Sequence, residues 1–230
     1  MFSRSADLYD ALYDTFKDYR AEAERVRALI GPDARTVLDV ACGTGRHLEL
    51  LREHYDVVGL DIDPELLAIA RSRVPGVELV EADMTNFDLG RRFDAVTCLF
   101  SSIGYARDEE HLRAAVAAMG RHVEPGGLLI VEPWLAPEAW RDGHVAMLVL
   151  DEPERKIVRM NRADRDGEVS VIDFHYLVGT PEHVEHFTER HHLGLFTDEQ
   201  YRAAFAAAGL DVEHDAEGLM GRGLYLGRLL

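Results

Sequence analysis

Apolar residues follow two rhythms along the chain. Between 5 and 30 they recur at helical spacing: Leu8, Leu12, Tyr13 and Phe16 share one face, then Ala23, Val26, Leu29 and Ile30 share another, and Gly31-Pro32-Asp33 closes the stretch. Short apolar runs then alternate with helical patterns. Strands are predicted over 36–41, 56–61, 77–81, 93–100 and 127–133, and helices over 45–54, 64–73 and 107–122. Pro64 follows Asp63 at a favoured first-turn position, and Pro125-Gly126-Gly127 is expected to make the tight turn into the fifth strand. Strands separated by helices pair in parallel through right-handed crossovers.

The rhythm changes after Trp140. Strand-like alternation runs over 144–194, with turn signals at Arg165-Asp166-Gly167 and Gly179-Thr180-Pro181, so antiparallel strands are expected there. A helix returns over 197–208, with Thr197 as N-cap, Gln200 three residues on and Gly209 as its stop. Strands over 210–214 and 223–228 complete the sheet. The expected fold class is α/β: a single domain over 1–230 built on a Rossmann-like, seven-stranded, mostly parallel sheet. A helical lid over 1–31 precedes it, and an antiparallel β cap inserted at 144–194 leans over the C-terminal edge of the parallel strands, where ligands bind.

Composition narrows the function. A hydrophobic content of 47% over 230 residues supports a packed core. The formal net charge of −17 argues against nucleic acid or an anionic membrane as a partner. The start, Met-Phe-Ser-Arg-Ser-Ala-Asp, lacks a signal-peptide core, and no apolar run reaches the length of a membrane span. Cys42 and Cys98 fall at strand ends expected to be buried and make no disulfide framework, so a cytoplasmic location is expected. Only Lys17 and Lys156 are lysines; acid excess with so few points to a GC-rich genome or a salt-loving host, and composition does not separate the two.

The chemistry gathers at the strand ends. Val37-Leu38-Asp39-Val40-Ala41-Cys42-Gly43-Thr44-Gly45 reads as a strand entering a glycine turn that opens a helix, and Asp61 ends the second strand 16 residues beyond Gly45. An acid there accepts ribose hydroxyls of an adenosine held by the turn. A dinucleotide fingerprint needs a third small residue, whereas Arg46, His47 and Leu48 follow Gly45, and Leu48 is expected to crowd the close helix–strand approach. The adenosine therefore carries no pyrophosphate on this reading, and the turn resembles motif I of class I S-adenosylmethionine (SAM) methyltransferases. A turn that merely packs tightly is the alternative.

Asp83 and Met84 follow the third strand, where they suit an adenine amino group and ring, or else a helix cap and a core methionine. After the fourth strand, Phe100-Ser101-Ser102-Ile103-Gly104-Tyr105 suits a backbone close to the methionyl end of SAM, or an ordinary loop. Tyr9 is read as a core residue, Tyr13 and Tyr19 as lid residues over the cofactor. Glu132 and Trp134 follow the fifth strand at the same sheet edge. His183, His186, His191 and His192 invite a metal reading, but strand alternation sends His183 and His186 to opposite faces and no cysteine joins them, so no metal is expected. Arg222, between Gly221 and Gly223, is an anion anchor or a solvated surface arginine.

Taken together, the segments at 8–10, 17–19, 38–45, 93–104, 131–134, 183–186 and 221–224 resemble the sugar N,N-dimethyltransferases of macrolide antibiotic pathways, which methylate the 3-amino group of TDP-linked amino deoxysugars. The resemblance implies SAM as cofactor, held by Tyr19, Asp39, Ala41, Cys42, Gly43, Gly45, Asp61, Ile62, Asp83, Met84, Phe100 and Ser101. It places Tyr13 near the acceptor amine and Arg222 at the nucleotide diphosphate, with Trp134 also on the substrate. That family often has a histidine where this chain has Tyr105, beside the attacking nitrogen. Tyr13, Tyr105 and Glu132 are the candidates to orient the amine or receive its proton. The expected partner is a small-molecule acceptor, with a homodimer left open. Two alternatives stand beside this reading: a SAM enzyme with an oxygen or carboxylate acceptor, and a non-enzymatic SAM-binding regulatory domain.

Overall fold

Two helices, α1 (Ala6–Tyr13) and α2 (Tyr19–Ile30), lead into β1 (Thr36–Val40) in the computed structural model, which describes residues 5–230. Residues 1–4, the start of the expected lid and of the segment read for a signal peptide, lie outside the described residues. There follow α3 (Arg46–Leu51), β2 (Asp56–Asp61), α4 (Pro64–Arg73), β3 (Glu78–Glu81), β4 (Phe93–Cys98), α5 (Glu109–Arg121) and β5 (Val123–Val131). Four strands come next: β6 (Val145–Asp151), β7 (Lys156–Asp166), β8 (Val169–Gly179) and β9 (Val184–Gly194). The chain closes with α6 (Asp198–Ala207), β10 (Leu210–Asp215) and β11 (Leu224–Leu229).

The main sheet has seven strands in the order β10-β11-β5-β4-β1-β2-β3, with β11 antiparallel to both its neighbours and the rest parallel. β1 shows why helices cover both faces. Val37 and Leu38 are each 0% exposed, yet Leu38 packs with Leu112 and Met119 of α5 while Val37 packs with Val26, Leu48 and Leu67 of α2, α3 and α4. A strand buried on both sides reads as an unbroken apolar run, as β1 does. Between β1 and β4 the strand order reverses, which opens a crevice at their carboxyl ends.

Strands β6 to β9 form a separate antiparallel sheet. Leu8 and Leu12 of α1 pack on its inner face with Ile157, Tyr176 and Phe187, burial that contributes about 2 kcal/mol for each leucine. The Ser5 hydroxyl donates to Glu189 at 2.6 Å and fastens the start of α1 to β9. Phe16, expected on the same face, is 48% exposed, because α1 ends at Tyr13 and the chain turns there.

Other expectations shift for local reasons. β4 stops at Cys98 rather than near 100, since Phe100 and Ser101 take left-handed φ angles of 52° and 60° before a 3-10 turn over Ser102–Ala106. β5 starts at Val123, before Pro125-Gly126-Gly127; the pairing with β4 shifts register there, so the expected turn is a bulge inside the strand. α3 spans only six residues. Leu48 does not crowd its strand: a Cβ on Gly59 of β2 would lie 2.5 Å from Leu48 Cδ1, so the small residue that admits this side chain sits on the strand instead of the helix.

Candidate active site

The turn after β1 is built from left-handed residues: Ala41, Gly43 and Gly45 have φ of 58°, 56° and 78°. The two glycines do different work. A Cβ at Gly45 would meet Ala70 Cβ of α4 at 3.2 Å, whereas one at Gly43 would meet nothing within 4 Å. Gly45 therefore serves helix packing, and Gly43 faces open space. The Asp61 carboxylate ties this turn to β2, accepting from the Gly43 amide at 2.7 Å and the Asp63 amide at 2.9 Å. Burial pushes the Asp61 carboxyl up, against the pull of those amides.

Gly43 and Asp61 line a cavity of ≈ 350 Å³ together with Ile62, Asp83, Met84 and Tyr105. Ile62 is 47% exposed at this wall, an apolar side chain that an adenine ring would cover. Met84, half-buried, lines the same cavity. Asp83 Oδ1 accepts from the amide and hydroxyl of Thr85, so Asp83 shapes its turn and faces the cavity at once.

A narrower space of ≈ 30 Å³ reaches inward between Tyr19, Asp39, Cys42, Arg46 and Phe100. Arg46 Nε is buried there without a hydrogen-bond partner, with an Asp10 oxygen 4.0 Å away. A carboxylate entering this space would satisfy it. Asp39 accepts from the Thr97 hydroxyl at 2.7 Å, and burial raises its carboxyl to about 6. Burial also pushes the Cys42 thiol up, so it is no nucleophile. Beside Tyr19, Glu22 bridges His47 at 2.9 Å and Lys17 at 2.8 Å. Burial opposes the Glu22 charge, but those two hydrogen bonds outweigh it and hold the carboxyl below its ordinary range. Lys17 Nζ stands 3.8 Å from the centre of the Phe100 ring, so the network couples the N-terminal helices to the loop after β4.

That loop is strained and firmly held. Left-handed φ at Phe100 and Ser101 costs about 1 kcal/mol or more apiece. Glu132 accepts from the Phe100 amide at 2.6 Å, Ser101 Oγ donates to the Pro133 carbonyl at 2.7 Å, and Arg222 donates to Ser101 Oγ at 2.9 Å. Glu132 is 0% exposed, with Oε1 lacking a hydrogen-bond partner, and burial raises its carboxyl. It lies behind the loop, outside the linings of these cavities.

A further cavity of ≈ 240 Å³ lies between the loop and the antiparallel sheet. Tyr13, Ser101, Tyr105, Trp134 and Arg222 line it, and it shares Tyr9, Ser102 and Tyr105 with the larger cavity. The Tyr105 hydroxyl and His191 Nδ1 are 2.7 Å apart. Burial pushes the Tyr105 phenol well up, so it stays neutral. Trp134 donates to Ser170 Oγ at 3.0 Å and joins the sheet edge to the cap.

Sequence reasoning missed Tyr9, which lines all three spaces instead of the core, as well as His47, Arg159 and His191. A signal for Arg159 exists in the sequence: in β7 it shares the inward side with Ile157 and Ala163, an unusual register for a charge. His183 precedes β9, so strand alternation does not place it, and it is exposed like His186; His186 lies 3.4 Å from His175, while His191 is buried.

A SAM molecule fits these spaces. The open Gly43 position admits a close approach, the Asp61 and Ile62 wall suits an adenosine, and the buried Nε of Arg46, whose Nη2 is already taken by Asp14, is a donor left for an amino-acid carboxylate.

Comparison with known proteins leads the same way. Residues 37–127 match a family described as a methyltransferase domain. The chain is 43% identical over 228 residues, 96% of each chain, to the dTDP-3-amino-3,4,6-trideoxy-alpha-D-glucopyranose N,N-dimethyltransferase of Streptomyces venezuelae. It is 44% identical to the dTDP-3-amino-3,6-dideoxy-alpha-D-glucopyranose N,N-dimethyltransferase of Streptomyces fradiae, over 96% of this chain and 89% of that one. Among solved structures it matches DesVI of Streptomyces venezuelae with a TM-score of 0.93 at 42% identity, over 98% of both chains. It also matches a SAM-bound amino pentose methyltransferase from Micromonospora echinaspora, with a TM-score of 0.88 at 42% identity over 97% of both. With a glycine turn open to the cavity, an acid at the tip of β2 and full-length relatives of this kind, the chain belongs to the class I SAM-dependent methyltransferases, in the branch of the sugar N,N-dimethyltransferases.

Proposed function

We propose that the enzyme methylates the amino nitrogen of a nucleotide-linked amino deoxysugar, adding two methyl groups in succession. The observation that carries this is the cavity beside the cofactor space. Two arginines line it and, among the described residues, no aspartate or glutamate does, in a chain of net charge −17. A site of that kind welcomes the phosphates of a nucleotide and offers an ammonium no counter-charge, which favours the neutral, nucleophilic amine. The relatives named for dTDP-amino sugars support the same substrate class.

SAM, when bound, supplies a methyl carbon already activated by its sulfonium. The chain's own work is then positioning and exclusion of water, which can supply ~7–11 kcal/mol of barrier lowering. Tyr19 and Arg46 hold the methionyl end, and Asp61, Asp83, Ile62 and Met84 hold the adenosine. Tyr13 and Tyr105 orient the amine, with the Tyr105 hydroxyl backed by His191 to pass on the proton released after transfer. Glu132 acts at one remove by fixing the loop, and Trp134 and Arg222 face the substrate. The cytoplasm is the setting this reading carries, in keeping with two buried free thiols. A homodimer is the assembly we infer, supported by the exposed apolar Val145, Met147 and Val149 on the edge strand of the cap. The acidic surface supports a function without nucleic acid.

Incubation with SAM and a dTDP-linked 3-amino deoxysugar, followed by mass spectrometry, tests the proposal. One and then two methyl groups should appear on the sugar nucleotide. Turnover of only simple amines or carboxylates would sink the sugar assignment.

A further inference from the structure

Arg159 occupies an inward-facing position of β7, between Ile157 in the apolar lid–cap cluster and Asn161 at the wall of the acceptor cavity. Its side chain is only 7% exposed. Both Nε and Nη1 are buried without a hydrogen-bond partner, and no ion pair reaches the guanidinium among the described residues. Its guanidinium carbon lies 5.2 Å from the centre of the Tyr13 ring and 4.9 Å from that of Phe174. Aromatic faces return part of what a buried cation loses with its water, but they leave the donors unsatisfied. Those donors belong to a residue on the cavity lining, where no carboxylate meets them among the described residues. A guanidinium in that state awaits a planar, anionic acceptor, and it presents the fork that phosphoryl oxygens match.

We propose that Arg159 is a second anion anchor of the acceptor cavity, taking a phosphoryl oxygen of the nucleotide diphosphate from the cap side. Arg222 stands on the sheet side, its guanidinium carbon 5.2 Å from the Trp134 ring and its Nη1 on Ser101. The assignment rests on the nucleotide-linked reading of the substrate. It gives the cap a chemical role, because β7 carries a fixed charge into a cavity whose other wall belongs to the main sheet. Because Tyr13 lies against the same guanidinium, the anchor also sits where the lid helix meets the cap.

Calorimetric titration of thymidine diphosphate into the full-length protein loaded with S-adenosylhomocysteine tests the anchor, with thymidine as a second arm. Arg159→Met should weaken thymidine diphosphate binding about tenfold or more, while thymidine and S-adenosylhomocysteine stay within about twofold. Arg159→Lys should recover part of the loss, since it keeps the charge without the fork. If Arg159→Met does not fold, Arg159→Gln takes its place with the same expectation. Wild-type affinity for thymidine diphosphate in the variant overturns the anchor and leaves the nucleotide reading standing; an equal loss for thymidine does the same. No binding of thymidine diphosphate to the wild-type protein overturns both.

Discussion

Asp61 holds the Gly43 amide at 2.7 Å, so the acid at the end of β2 fastens the turn at the end of β1. The same carboxylate that suits a ribose also fixes the glycine turn that lines the cavity with it. Asp61→Ala should therefore weaken SAM binding by ~1–3 kcal/mol and lower stability as well, by the cost of a lost charge-assisted bond. Calorimetry and thermal unfolding measured together check it. A loss of affinity with unchanged stability would mean that the Gly43 bond contributes nothing.

Gly43 and Gly45 separate space from packing. Gly43→Val should leave a folded protein that no longer binds SAM, because the added side chain points into open space that the cofactor needs. Both variants should lose stability, because φ at these positions is 56° and 78°; Gly45→Val should lower the melting temperature further, since its Cβ would also press on Ala70 at 3.2 Å. Unchanged SAM affinity in a folded Gly43→Val would show the turn to be structural only.

Asp39 carries a pH dependence. Its carboxyl sits at about 6 in the fold, against 3.8 for an ordinary aspartate, with burial as the cause. Between those values the native state binds more protons than the unfolded chain, so stability falls as pH rises through this window and the full cost is present near pH 7. Asp39→Asn removes that cost and can still accept from Thr97. The variant should gain on the wild type by up to about 3 kcal/mol between pH 4 and 7. Denaturant unfolding at both pH values decides it, and a pH-independent difference would refute the argument.

Much of the cofactor half was legible because it depends on short-range pattern. The glycine turn, the acid on β2 and the apolar β1 are each written within a few residues. The opposite holds for Leu48 and Gly59: eleven residues apart, they meet only after β1 and β2 pair, and the helix sequence alone suggests a clash. Tyr9 was hidden for a similar reason. Its helical spacing marks it as apolar, but only the packing of α1 on Ile157 and Tyr176 turns its ring toward the cavities. Glu132 is a different case: a carboxylate at a sheet edge is legible in the sequence, but the direction in which its oxygens turn is not. Its oxygen faces the Phe100 amide because the strained loop needs an anchor there.

The two tyrosines of the acceptor cavity should act on turnover rather than binding. Tyr105 remains a neutral phenol, so Tyr105→Phe removes the bond to His191 and an orienting hydroxyl without removing an anionic base. Tyr13→Phe removes a hydroxyl from the same wall. Each should lower kcat by about tenfold or less, with SAM affinity unaltered, if positioning dominates. A loss of many orders of magnitude in either variant would assign that hydroxyl an indispensable proton transfer.

Arg222 has two roles that kinetics can divide. It lines the acceptor cavity, and it also steadies Ser101, whose φ of 60° is unfavourable for a residue with a side chain. A contact to a remote diphosphate is uniform binding, so its loss raises KM and spares kcat; slackening of the loop beside the reacting centre lowers kcat. Arg222→Ala should do both, with the larger effect on KM for a nucleotide-linked amino sugar. Arg222→Lys keeps the charge and should recover more of KM than of kcat if its shorter reach leaves Ser101 unsupported. The net charge of −17 adds a further signature. Long-range repulsion of a dianionic substrate is screened by salt more strongly than the short contact inside the cavity, so kcat/KM of the wild-type enzyme should rise with moderate ionic strength before it falls. Steady-state kinetics across a salt series measures this. A monotonic fall from the lowest salt would show that the surface charge does not oppose the substrate, and an unchanged KM in Arg222→Ala would remove this arginine from the diphosphate.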